Sequence, residues 1–192
     1  LIDARLYSQI PDTDLRKAWF NGPEGAEQAT DAASLPYASV KFGHVDDWTD
    51  NYMYMRAAEM ILIEAEAYAH MGDGIKAAEV LQELMDVRQP DWKKSNVSVE
   101  DIHLQRRIEL WGEGFAMSDI MRLKKNVVRY HEGDENSNVA EPYRFNVKYG
   151  DPWMLLRFVQ GELTNNRGCS QNEGGELPEQ GDGAGLTDGV TD

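Results

Sequence analysis

Tyr52-Met53-Tyr54-Met55-Arg56-Ala57-Ala58-Glu59-Met60-Ile61-Leu62-Ile63-Glu64-Ala65-Glu66-Ala67-Tyr68-Ala69-His70-Met71 is the stretch from which the rest of the chain can be read. Met55, Ala58, Met60, Ile61, Leu62, Ala65, Tyr68 and Ala69 recur at steps of three and four, and Ala, Met, Leu and Glu are good helix formers. The spacing predicts an amphipathic helix, with Thr49 or Asp50 as its cap. It cannot cross a membrane, because Arg56, Glu59, Glu64 and Glu66 interrupt it and a span needs ~18 or more apolar residues in succession. Gly72-Asp73-Gly74 ends the helix, supplying a left-handed C-terminal position and a cap for the next one. Ile75, Ala78, Leu81, Leu84 and Met85 carry that second helix to Arg88, before Pro90. An antiparallel helical hairpin over residues 52–88 follows.

Outward from the hairpin, Ser98 with Asp101 three residues later is a variant of the capping box and starts a third helix through Ile102, Gln105 and Ile108 to Trp111. Gly112 and Gly114 interrupt it, and a fourth runs from about Phe115 to Lys125, closed by Lys124 and Lys125 against the negative end of the helix dipole. Upstream, residues 1–50 carry Pro11, Gly22, Pro23, Gly25, Pro36 and Gly43 between short apolar patches. They read as an irregular arm with one short helix around Asp14–Phe20, unable to make a core alone. Residues 127–150 are polar and loop-like, and Trp153–Val159 is a short extended apolar run. The expected organisation is a lead-in arm (1–50), a helical region (51–168) and a Gly-rich acidic tail (169–192) too poor in apolar surface to order itself, hence disordered or loosely draped.

The 192 residues hold 19 Lys+Arg against 34 Asp+Glu, a net charge of −15, of which the tail from Ser170 contributes −6 and the body −9. That length suits one domain. The acidic balance, with its scattered basic residues, excludes nucleic acid and anionic lipid as main partners. Cys169 is the only cysteine, so no intrachain disulfide and no multi-thiolate zinc site exists. The chain begins Leu1-Ile2-Asp3 without an initiator Met or a charged-then-apolar leader, the pattern of a processed or truncated chain.

Ala65, Tyr68, Gly72 and Ala77 fall where a tetratricopeptide unit needs a close helix contact, an aromatic wedge, a tight turn and a second close contact, and Leu81 follows on the packing face. Any antiparallel helical pair remains the alternative, since no second copy is present. Arg106-Arg107-Ile108-Glu109-Leu110-Trp111-Gly112-Glu113-Gly114-Phe115, then Asp119 and Arg122, interleaves acids with apolar residues. Glu109 and Glu113, four apart on one face, form a candidate carboxylate pair for acid/base work. Structural ion pairing is the preferred reading for them and for Glu59, Glu64, Glu66, Arg106, Asp119 and Arg122. His44, His70, His103 and His131 are dispersed, which gives no support to a catalytic triad. Asp46-Asp47-Trp48-Thr49-Asp50-Asn51 offers oxygen ligands for calcium but lacks the Gly-centred loop and terminal Glu of an EF-hand; it reads as a helix-leading loop, and no metal or cofactor is expected.

In order, Tyr54–Ala67, the turn after Met71, Arg88, then Arg106, Glu109, Leu110, Glu113, Gly114, Asp119 and Arg122 closely resemble the C-terminal region of the SusD/RagB family of outer-membrane lipoproteins. Asp3-Ala4-Arg5 and Asp14-Leu15-Arg16 resemble its Asp–Arg lead-in, residues 37–42 the segment before its first helix, and Arg157–Leu163 its closing turn. The likeness covers roughly residues 3–168. Ala116 departs from it, where the family commonly places Arg, and the tail lies beyond its usual end.

The resemblance implies a mainly α fold with one tetratricopeptide-like hairpin, further helices and long irregular loops, as the C-terminal portion of a longer lipoprotein. Its lipidated cysteine and earlier repeats would lie upstream, for Cys169 sits near the other end. It implies non-catalytic capture of a glycan or other nutrient at the cell surface, beside a SusC-like TonB-dependent transporter. Sugar rings stack their C–H faces on aromatic side chains, and Trp48, Trp92 and Trp153, in loop-like settings, are the candidate ligand contacts; Tyr68 and Trp111 read as core. The competing readings are a tetratricopeptide-type protein-interaction module and a glycoside hydrolase using the carboxylate pair.

Overall fold

The computed structural model describes residues 1–26, 34–42, 49, 53–134 and 137–192. Among these the chain is mainly helical, with six α-helices and, instead of strands, isolated bridges at Phe20–Ser39 and Val127–Val147. It divides into two compact units, Leu1–Ala116 with Val190–Asp192, and Met117–Gly189.

The first unit opens with a helix that the pattern of Pro and Gly concealed, α1 (Ala4–Ser8), capped by the Asp3 side chain accepting from the Arg5 amide. Asp14 likewise caps the short helix expected there, a 3-10 helix over Leu15–Trp19. The arm's Ile2, Leu6, Ile10 and Phe20 bury themselves against Ile108, so its core is completed from another helix.

The hairpin consists of α2 (Ala57–His70) and α3 (Gly74–Arg88). Gly72 takes φ +82°, and Asp73 accepts from the Lys76 amide at 3.0 Å, as the turn's sequence required. Leu62 and Ala65 on α2 meet Ala77, Leu81 and Met85 on α3 with no exposed surface, and Trp92, Val97 and Ile102 close the cluster. Paired alanines let the helix axes approach, while each buried Leu contributes about 1.5–3 kcal/mol. The start of α2 corrects the expected cap: Arg56 holds the N-cap position and makes no side-chain cap bond. Thr49 lies well before the helix and Asp50 falls outside the described residues.

α4 (Val99–Glu109) carries the complete capping box, Ser98 Oγ accepting from the Asp101 amide at 3.1 Å and Asp101 Oδ2 from the Ser98 amide at 2.9 Å. It stops two residues short of Trp111. Gly112 has φ +77°, which favours glycine, and a Cβ there would stand 2.6 Å from the Phe42 ring, so the ring would have to move aside for any other residue.

α5 (Ala116–Arg122) is shorter than expected because Lys124 takes φ +54° and the Lys125 amide donates back to the Ile120 carbonyl at 2.9 Å. In the second unit Phe145, Val147 and Met154 form the core, with Ile120, Met121, Val127 and Trp153 against them. The apolar run expected to be extended begins as a 3-10 turn at Pro152–Met154, and a short α6 (Gln160–Asn165) follows it. The tail, expected to be loose, makes defined polar contacts: the Asn146 amide donates to the Asp182 carbonyl at 2.8 Å, the Gly181 amide to the Arg144 carbonyl at 3.0 Å, and Asn126 Nδ2 to the Thr187 carbonyl at 2.8 Å. These contacts use backbone groups, so they need no apolar residues in the tail.

Candidate functional site

The carboxylate pair is the first place to look for chemistry. Glu109, at the end of α4, has no exposed surface. Arg88 donates to it through Nε at 3.0 Å and Nη2 at 2.9 Å, Arg56 through Nη1 at 2.8 Å, and Arg16 Nη1 lies 3.6 Å away. Arg56 also donates to Glu113, Nε to Oε2 at 3.0 Å and Nη2 to Oε1 at 2.8 Å. Lys41 donates to Glu113 Oε1 and to the Glu109 carbonyl, the latter at 2.7 Å. Arg16 is itself fully buried, held by Asp14 on its own turn and by Gln105 of α4.

Burial alone would raise the pKa of both carboxyls, but the hydrogen bonds from Arg88 and Arg56 to Glu109, and from Arg56 and Lys41 to Glu113, hold both below the ordinary value. Burial lowers the pKa of Lys41, which Glu113 only partly offsets. Acid/base hydrolysis needs one carboxyl kept protonated beside an ionised one. Here both are ionised at neutral pH and their oxygens are occupied by cations, the arrangement of a structural junction between the arm, the hairpin and α4.

The remaining ion-pair candidates divide. Arg106 lies 3.7 Å from Glu66, which also has His70 at 3.3 Å, and Asp119 pairs with Arg122 at 2.8 Å. Glu59 and Glu64 make no ion pair among the described residues, since Glu64 is exposed on α2, away from the buried Leu62, Ala65 and Glu66. Arg16, Lys41, Arg56 and Arg88, which supply the junction's positive charge, were not singled out as ion-pair partners from sequence. All four fell within the motifs quoted above, but no periodicity there marks which acid each would meet.

The aromatic candidates also divide. Trp48 lies outside the described residues. Trp92 is 7% exposed and part of the core beside Val97 and Ile102, so it offers no open ring face there. Trp153 is half-buried and meets Phe145 edge-on, ring centroids 5.7 Å apart. A cavity of about 280 Å³ in the second unit is lined by Asn146, Lys148, Asp151, Asp182 and Leu186 among others. Among the described residues there is no cluster of His, Cys, Asp and Glu fit for a metal, and no helix long and apolar enough to cross a membrane. The stretch weighed for calcium lies outside them except for Thr49.

Comparison with known proteins gives a family model, described as SusD family, that matches residues 44–174. Among solved structures, a SusD-like carbohydrate binding protein from Bacteroides vulgatus is 26% identical with a TM-score of 0.64, the match covering 86% of this chain and 40% of that one. A putative sugar binding protein from the same organism shares the fold at 22% identity, TM-score 0.67, covering 88% of this chain and 37% of that one. The chain thus spans about two fifths of the length of these neighbours. No curated protein matches it.

Proposed function

Because the chain belongs to the SusD family, we propose that it serves in the capture of a glycan or related nutrient at the outer membrane, binding its ligand without breaking bonds. The observation that carries this reading is the likeness, in sequence and fold, to a SusD-like carbohydrate binding protein. The junction agrees with it: Glu109 and Glu113 are both held ionised by Arg and Lys, leaving neither as a proton donor. A lipid anchor and a SusC-like TonB-dependent transporter as partner complete the proposal. Trp153, and Trp48 in the lead-in, remain the proposed aromatic contacts.

Isothermal titration against a panel of oligosaccharides, with reducing-end release followed in the same samples, tests it. Saturable binding without product is expected; steady product release sinks it. A tetratricopeptide-type interaction role is the second reading, favoured by Met60 and Ile63 lying exposed on α2. Binding to a transporter segment with no affinity for any sugar would favour that role instead.

A further inference from the structure

Arg129 is a half-buried cation that meets no acid among the described residues. Its guanidinium lies 4.7 Å from the centroid of Phe145 and 5.7 Å from that of Trp153, and among the described residues no oxygen accepts a hydrogen bond from it. Arg122 is paired with Asp119, Arg144 with the carbonyls of Val139 and Ser137, and Arg157 with that of Asn172, while Arg167 is exposed to water. Burial lowers the Arg129 pKa with nothing opposing it, yet an arginine remains charged at any working pH. A half-buried charge keeps part of its water, and the ring faces replace only part of the rest.

The surroundings anchor the backbone that carries this group. Asn146, 4% exposed, accepts from the amides of Arg129 at 2.8 Å and Tyr130 at 3.2 Å, and donates to the Tyr130 carbonyl at 2.8 Å. Phe145 is fully buried and sets the half-buried Trp153 nearly perpendicular to itself, at 78°. The backbone that carries the cation, and the packed edge of the indole, are therefore set by the core before any ligand arrives, which lowers the ordering cost of binding.

An indole suits the C–H face of a pyranose, and a guanidinium fork suits a planar oxyanion in two-pronged fashion. We propose that Arg129 and Trp153 form an acidic-sugar subsite, in which the guanidinium pairs with the carboxylate of a uronic acid residue whose ring lies against Trp153. This deepens the glycan-capture reading and rests on it. A neutral sugar would leave the guanidinium as poorly paired as before, whereas a uronate supplies the missing acceptors. The net charge of −15 does not forbid it, because at physiological salt charges are screened beyond about 8 Å and the contact pair decides.

The test is titration of the full chain with oligogalacturonate and with its fully methyl-esterified form, the same sugar backbone without the charge. Losing a charged hydrogen bond costs about ten- to a hundredfold in Kd, so esterification is expected to weaken binding by that factor, Arg129→Gln to do the same for the acid form, and Arg129→Lys to fall between. If Arg129→Gln fails to fold, the wild-type comparison of the two ligands still decides. Equal affinity for both forms, or an acid-form affinity unchanged in Arg129→Gln, overturns the subsite. Binding of neither form, alongside binding of a neutral glycan, overturns the subsite and leaves glycan capture standing; binding of no glycan at all overturns both.

Discussion

Arg56 grips Glu113 with two nitrogens, Nε to Oε2 at 3.0 Å and Nη2 to Oε1 at 2.8 Å, across 57 residues of chain. Its remaining nitrogen donates to Glu109. One side chain at the entrance of α2 thereby ties the hairpin to the end of α4, and the burial of Glu109 makes that tie costly to break.

Replacing Glu109 with Gln leaves Arg16, Arg56 and Arg88 facing one another around a neutral amide. Removing one partner of a buried ion pair costs about 3–5 kcal/mol, and a loss of that size is expected in urea unfolding. Glu113→Gln, at a half-buried position with two cations beside it, is expected to cost roughly 1–2 kcal/mol after allowing for solvent screening. Equal costs at the two positions would contradict the burial difference.

Acid should weaken the same junction. The folded pKa of Glu109 and of Glu113 lies below its unfolded value, about 4.3. Their stabilising contribution is therefore complete above that value and is lost as pH falls through the folded pKa. Melting temperature followed by circular dichroism should vary little on their account from pH 7 to about 5 and then fall. Glu109→Gln should flatten part of that acid limb.

Gly112→Ala combines two penalties. The left-handed backbone costs a non-glycine residue about 1–2 kcal/mol, and the new methyl would stand 2.6 Å from the exposed Phe42 ring. Because that ring can swing outward, the steric part is the smaller. Adding Phe42→Ala should recover only that part, as a double-mutant thermal series would show.

Ser98→Ala removes one half of the capping box. About 1 kcal/mol of stability should go, read in denaturant midpoints, with Ser98→Asn retaining most of it. No change would mean that α4 is held by its buried face alone.

Local features were legible in the residues. Gly72 and Asp73, the Ser98–Asp101 box and the period of α2 and α3 each depend on partners within a few positions, and each stands in the structure. Where sequence reasoning slipped locally, a stronger local device prevailed: Asp3 capped an unforeseen α1, and Lys124 in the left-handed region ended α5 early. The order of motifs pointed to the family, and the interleaving of acids with apolar residues singled out Glu109 and Glu113 as members of ion pairs.

Which cations would meet those acids, tertiary structure alone decided. Lys41 reaches Glu113 across 72 residues and Arg16 reaches Gln105 across 89, separations over which no helical or extended period carries information. Exposure was decided in the same way: Trp92 and Trp153 look alike as tryptophans in polar loops, yet one closes the hairpin core and the other stands half-open beside Arg129. The hydrogen bonds and caps of a helix are satisfied within a turn or so of the chain, so local sequence specifies them. Burial and ion pairing depend on what distant elements bring against a residue, which is settled only when those elements pack.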